Sequence, residues 1–138
     1  MKFTILILSS LLFFTDGHCA INNYLFADFL TAKNAEKKWG TKKFEAISYK
    51  KSSAPDKAKM AVDLIKNKYL VGWTFTKLRE QMGAPDSYFF SDTIYAYRID
   101  EPVENKESWQ LLFIPDDKLE KVADIKINKF CCYKDPFR

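Results

Sequence analysis

The feature that most constrains this chain is a change of period at Gly83-Ala84-Pro85. Ahead of it apolar residues recur at helical spacing; beyond it they alternate. Thr74 suits a helix N-cap, because its hydroxyl can accept from an orphan backbone N–H of the first turn. Leu78 and Met82 follow one turn apart on one face. Gly83 then stands at the C′ position, where a left-handed backbone is cheap only without a Cβ, and Pro85 forbids continuation. With Gly72 ahead of the cap, residues 71–86 read as one short helix with a start, a stripe and a stop. They form the hinge between a helical half and a sheet half.

The helical half lies upstream. Ser53-Ala54-Pro55-Asp56 is a helix start, with proline tolerated in the first turn and the aspartate complementing the helix dipole. Ala58, Ala61, Val62, Ile65 and Tyr69 form its stripe, widened by Met60 and Leu64, to about residue 68. Farther back, Leu25, Phe29 and Ala32 fall at helical spacing before Gly40 and predict an amphipathic helix within residues 21–39. Residues 41–54 are mostly polar and read as a connecting segment, with Phe44, Ala46, Ile47 and Tyr49 as the apolar exceptions.

Beyond Pro85 the period is two. Residues 87–91 read as a short apolar strand. Over residues 93–100, Tyr95, Tyr97 and Ile99 share one face and Ile94, Ala96 and Arg98 the other. Over 107–114, Trp109, Leu111 and Phe113 oppose Gln110, Leu112 and Ile114. Pro115-Asp116-Asp117-Lys118 is a turn. Over 119–127, Ala123, Ile125 and Ile127 face away from Val122, Asp124 and Lys126. Short links between successive strands imply an antiparallel meander. The expected fold class is α+β, two-layer: two helices packed on a three- to four-stranded antiparallel sheet, plus an N-terminal helix. The sheet face carrying the tyrosines, Trp109 and Phe113 should meet the helices. The other face, with Ile94, Leu112, Ile114 and Val122, is half-apolar and is the candidate partner surface. The N-terminal helix is expected to cover it, since a chain buries its own spare helix before it needs a partner.

The first residues read as a leader. Lys2 supplies a positive n-region and residues 3–14 an apolar run, the pattern of a secretory signal peptide and too short for a membrane span. The expected division is 1–19 signal peptide, 20–54 N-terminal helix and connecting segment, 55–130 the α+β domain, and 131–138 a tail. Export to the periplasm or beyond follows. Cys19 raises a lipoprotein signal and with it an outer-membrane anchor, the one route to a membrane expected here. Cys131 and Cys132 are adjacent, so a bond between them would be strained; pairing of either with Cys19 would leave an odd thiol.

Several chemistries lack their residues. His18, the single histidine, lies in or beside the leader. This disfavours histidine-dependent triads and the usual zinc sites. There is no G-x-S-x-G, Walker loop or G-x-G-x-x-G, and four glycines leave little for a phosphate cradle. No cofactor and no metal is expected. The carboxylate groups Asp116-Asp117, Asp100-Glu101 and Glu104 near Glu107 sit among turn residues and read as solvated. Tyr88, Phe89 and Phe90 read as core cover ahead of a ligand-stacking cluster. Lysines and arginines are spread with acids between them, unlike the concentrated basic segment of a nucleic-acid binder.

The run Gly72, Trp73, Thr74, Leu78, Met82, Gly83, Pro85 resembles the G-x-T-x-x-x-V-x-x-x-L-G-x-P pattern of the BamE-like (SmpA/OmlA) envelope domain. The strands at Tyr97-Arg98-Ile99 and Trp109-Gln110-Leu111-Leu112-Phe113, and a third after an acidic turn, follow in that family's order. Trp39, Met60, Asp63 and Leu64 resemble the markers of small exported bacterial lipoproteins with this motif. The likeness covers about residues 56–128. It implies a non-catalytic module of the cell envelope that binds or supports another protein. An inhibitor-like binder of an enzyme is the alternative, and a carboxylate-using envelope hydrolase a further one. The resemblance transfers no binding residues; Gly72, Thr74, Gly83 and Pro85 are its structural motif.

Overall fold

The computed structural model describes residues 27–101, 103 and 106–130. The elements run β1 (Phe29–Leu30), α1 (Ala32–Trp39), α2 (Ala46–Lys51), α3 (Ala54–Asn67), α4 (Phe75–Met82), β2 (Tyr95–Arg98), β3 (Ser108–Pro115) and β4 (Val122–Phe130). Among the described residues this is an α+β fold, with four helices and a four-stranded antiparallel sheet of order β1-β4-β3-β2. The leader, Cys19 and the tail with Cys131 and Cys132 lie outside the described residues.

α3 is the centre of the helical layer. Ala58 and every residue from Met60 to Ile65 are buried, so this helix is covered on nearly all sides, as an apolar helix without a free face must be. Its inner side meets the sheet, where Tyr97, Ile99, Trp109, Leu111, Phe113, Ile125 and Ile127 share its core. α1 and α2 pack on its flanks, and the strap between them crosses it, with the Lys42 N–H donating to the Lys59 carbonyl at 3.2 Å. Residues 41–54 therefore hold a six-residue helix, α2, where a connecting segment was expected. Its sequence lacks a long stripe, and only Ala46 and Tyr49 turn into the core.

The punctuation around α4 follows the chemistry of its residues. Thr74 Oγ1 accepts from the Lys77 N–H at 3.2 Å. Gly83 closes the helix at φ +89°, ψ −178°. This is the extended mirror region, which is essentially confined to glycine, and not the compact left-handed well expected of a C′ residue. Gly72, at φ +88°, brings its N–H to the Val122 carbonyl at 2.8 Å, so the start of the motif also pins β4.

Three strand expectations change. Residues 87–91 form only a single bridge, Ser87 to Ala96. Phe90 has φ +60° and the Ser91 N–H donates to the Phe89 carbonyl at 2.7 Å, a tight turn that lets both rings pack instead of alternating. The fourth strand is β1, at the other edge, pairing Phe29 with Asn128 and Leu30 with Ile127; the helix expected to include Phe29 begins at Ala32. The last strand starts at Val122, because residues 116–121 are a turn held by Asp116, whose carboxylate accepts from the N–H groups of Glu120 and Lys121 at 2.9 and 3.2 Å.

Candidate binding surface

The proposed partner face can now be placed residue by residue. Leu112 is fully buried, with Ala96 and Phe89. Ala27, Phe29, Phe90, Ile94 and Ile114 pack around them, the last two half-buried. So the cover on this face comes from β1 and the 87–91 turn. The N-terminal helix does not lie there: Ala35 of α1 belongs to the main core with α3. Val122 is not on this face either. It is 1% exposed in the core beneath the helices. The reason is a register shift: Ile114 pairs with Asp124 but Pro115 with Val122, so Ala123 is an extra residue. A bulge of one residue reverses the facing of everything beyond it.

A concave surface lies at another corner, where the end of α1 meets the start of β3. A cleft of 560 Å³ is lined by Lys38, Trp39, Asp100, Lys106, Glu107 and Trp109. Trp39 is the last residue of α1, and Gly40 ends that helix at φ +78°, leaving the indole against the sheet. It meets Trp109 edge-on, centroids 5.5 Å apart at 85°, and the Lys38 ammonium lies 5.5 Å from both rings. Both geometries are attractive for aromatic quadrupoles. A second recess of 240 Å³, lined by Trp39, Ala54, Pro55, Ala58 and Ile99, opens beside the first, with Asp100 and Glu101 at its rim. Sequence reading assigned Trp109 to the helix-facing side of its strand, where it is, and noted Trp39 only as a family marker. It missed that the two tryptophans meet, because their seventy-residue separation carries no periodic signal.

Many carboxylates among the described residues are occupied. Asp100 Oδ1 accepts from Ser108 Oγ at 2.8 Å and from the Trp109 N–H at 3.0 Å, which ties the end of β2 to β3. Asp86 Oδ1 takes the Arg98 N–H at 2.7 Å on the outer edge of β2. Glu107 pairs with Lys129. Asp63, 7% exposed, takes the buried Phe44 N–H at 2.8 Å, the Asn67 amide at 2.8 Å and the Tyr69 hydroxyl. Burial pushes the Asp63 carboxyl up, but the Tyr69 hydroxyl, the Phe44 N–H, the Asn67 amide and the Lys43 charge outweigh it and hold it below the usual carboxylate range. Asp116 is held low by the Glu120 and Lys121 N–H groups. In Asp124 burial again acts upward and is outweighed, chiefly by Lys68. Burial raises the phenols of Tyr49 and Tyr97.

Among the described residues no group of three or more His, Cys, Asp or Glu is arranged to hold a metal ion, and no helix is long and apolar enough to cross a membrane. The four motif residues are structural in geometry: Gly72 and Gly83 supply positive φ, Thr74 caps, and Pro85 follows the stop. The fold defines a small two-layer α+β protein with an aromatic cleft at one corner. No protein-family model, curated protein or solved structure matches the chain.

Proposed function

We propose that this chain is an exported, non-catalytic protein of the cell envelope that binds another protein, and that the Trp39–Trp109 cleft is the contact. The observation that carries this reading is the cleft itself: two indoles, an apolar recess and a rim of mixed charge. Trp39, half-buried, is the ring open to a partner, and Trp109, 8% exposed, backs it; an aromatic anchor inside a polar rim is the usual anatomy of a protein contact. The recess beside Trp39 accepts one apolar side chain next to Asp100 and Glu101, and Lys38, Lys106 and Glu107 bring groups of both signs to the adjoining cleft. The non-catalytic half of the reading rests on the sequence, in its likeness to the BamE-like domain and its lack of the histidine-dependent and phosphate-binding motifs.

A photo-crosslinking residue placed at position 39 in the native host tests the proposal, with position 119 (Leu119, an exposed turn residue) as control. A discrete adduct from position 39, in the envelope fraction and absent from position 119, is the expected result. No adduct from either position, with turnover of an envelope substrate by the purified chain, would overturn it.

A further inference from the structure

Charge divides between the two halves of this fold. From Thr31 to Leu70, the stretch containing α1, α2 and α3, there are eleven lysines, no arginine and four carboxylates, a net charge of +7. From Val71 to Phe130 there are eleven acids against eight bases, a net charge of −3. Lysines that look dispersed along the chain are thus gathered on the helical layer.

Helix geometry places several of them outermost. In α1 the core-facing residues are Ala32, Ala35 and Trp39, so Lys33 and Lys37 stand on the opposite side. In α2 the core-facing residues are Ala46 and Tyr49, so Ile47 and Lys51 stand on the opposite side. Ile47 is 78% exposed, the most exposed large apolar residue among those described. Lys51 follows it by one turn; Lys43 lies in the strap just ahead of α2, and Lys50, also one turn on, donates to the Glu80 carbonyl at 2.9 Å. Other lysines of the layer are engaged: Lys42 and Lys59 with Asp56, Lys66 with Glu36, Lys68 with Asp124.

We propose that the outer side of the helical layer docks on an anionic phospholipid bilayer, with Ile47 entering the headgroup boundary. Charge complementarity selects the occupant. A surface whose cations are all lysine offers compact, mobile charges suited to a diffuse anionic sheet, whereas fixed recognition of single phosphates or carboxylates favours the planar fork of arginine. Lysine is depleted in protein interfaces, while a cluster of lysines is drawn to an anionic leaflet, and the exposed Ile47 beside Lys51 adds apolar area that can be buried there. The acidic sheet half would be repelled by the same surface, so the charge asymmetry also sets orientation. This surface is separate from the tryptophan cleft, so binding to lipid and binding to a partner can be tested independently.

The experiment is sedimentation of the purified full chain with vesicles of phosphatidylcholine alone and of phosphatidylcholine mixed with phosphatidylserine, at low and high salt. Binding is expected only to the anionic vesicles and is expected to fall as salt rises. The apolar leader, if retained, would add equally to both vesicle types. The triple variant Lys33→Gln, Lys37→Gln, Lys51→Gln should weaken partitioning on the order of 100-fold, and Ile47→Ser roughly tenfold. The triple Lys→Arg variant should keep wild-type binding, which separates lost charge from damage to the fold. Equal binding to both vesicle types, or undiminished binding by the Lys→Gln variant, would overturn the proposal. So would indifference to vesicles combined with lysine-dependent binding of polyglutamate, which would assign the surface to an acidic protein.

Discussion

Asp63→Ala tests how the helical layer is held together. Asp63 is on the outward side of α3, where the strap of residues 41–45 crosses, and its carboxylate is the anchor for that crossing. Of its three donors, the Phe44 N–H is buried, whereas Asn67 and Tyr69 are exposed enough to bond water instead. Alanine therefore strands one buried backbone donor. Losing a hydrogen bond to a charged acceptor costs about 1.5–3 kcal/mol, and because this overlaps with the about 1–3 kcal/mol of an unpaired buried donor the two do not simply add, so about 2–4 kcal/mol is expected. That is a large share of the roughly 5–15 kcal/mol available to a domain. Urea unfolding at neutral pH measures it, and the melting temperature should fall by roughly 4–8 °C for each kcal/mol lost. Tyr69→Phe, which removes only the solvent-side donor, should cost less than about 1 kcal/mol.

The linkage to pH follows from the same contacts. The folded carboxyl titrates below its unfolded value, so its stabilisation is complete above the unfolded value and is lost as pH falls through the folded one. The gap between wild type and Asp63→Asn should hold from neutral pH down to about pH 4 and narrow below it. An Asp63→Ala variant no less stable than Tyr69→Phe, or a gap that widens with acid, would show that the strap is held by something else.

Substitutions at three further positions test the backbone and the facing of the sheet. Gly83→Val and Gly83→Ala should each cost about 1–3 kcal/mol in chemical denaturation. The nearest atom to an added Cβ is Lys50 Cε at 3.7 Å, so the cost comes from the backbone, and unchanged melting of either variant would refute the assignment. Val122→Asp should cost about 4 kcal/mol or more by burying a charge in the main core, while Ile114→Asp, on the half-buried face, should cost about 2 kcal/mol or less; the reverse order would place Val122 on the outer face.

The candidate cleft was less legible than the fold. Trp39 and Trp109 are each visible as large aromatic residues near the ends of elements, but the cleft exists only because α1 runs beside α3 and ends over the first residues of β3. Asp100 read as a turn residue and is one, yet its oxygen also fastens the Trp109 backbone at the cleft wall. The lysine surface is hidden in the sequence by interleaved acids. It emerges once ion pairs with Asp56, Glu36 and Asp124 are set aside and the outward positions of α1 and α2 are known.

The sequence by itself determined the local structure wherever one residue type satisfies a backbone requirement. Thr74 and Gly83 bound α4, Gly40 stops α1, Pro55 sits in the first turn of α3, and the alternation through Tyr95–Ile99 and Trp109–Ile114 assigns the two faces of β2 and β3. Only the tertiary structure decided what depends on counting across strands or on which surplus apolar residues meet. The extra residue Ala123 turns Val122 inward, because side-chain facing has a period of two and one insertion reverses it. Phe29 became an edge strand, and Phe89 and Phe90 became a turn, because each could bury its ring over Leu112 in that conformation, and burial against a distant partner outweighs local periodicity. The change of period at Gly83 set the division into layers; contacts between residues far apart in the chain chose the cover on the sheet's second face.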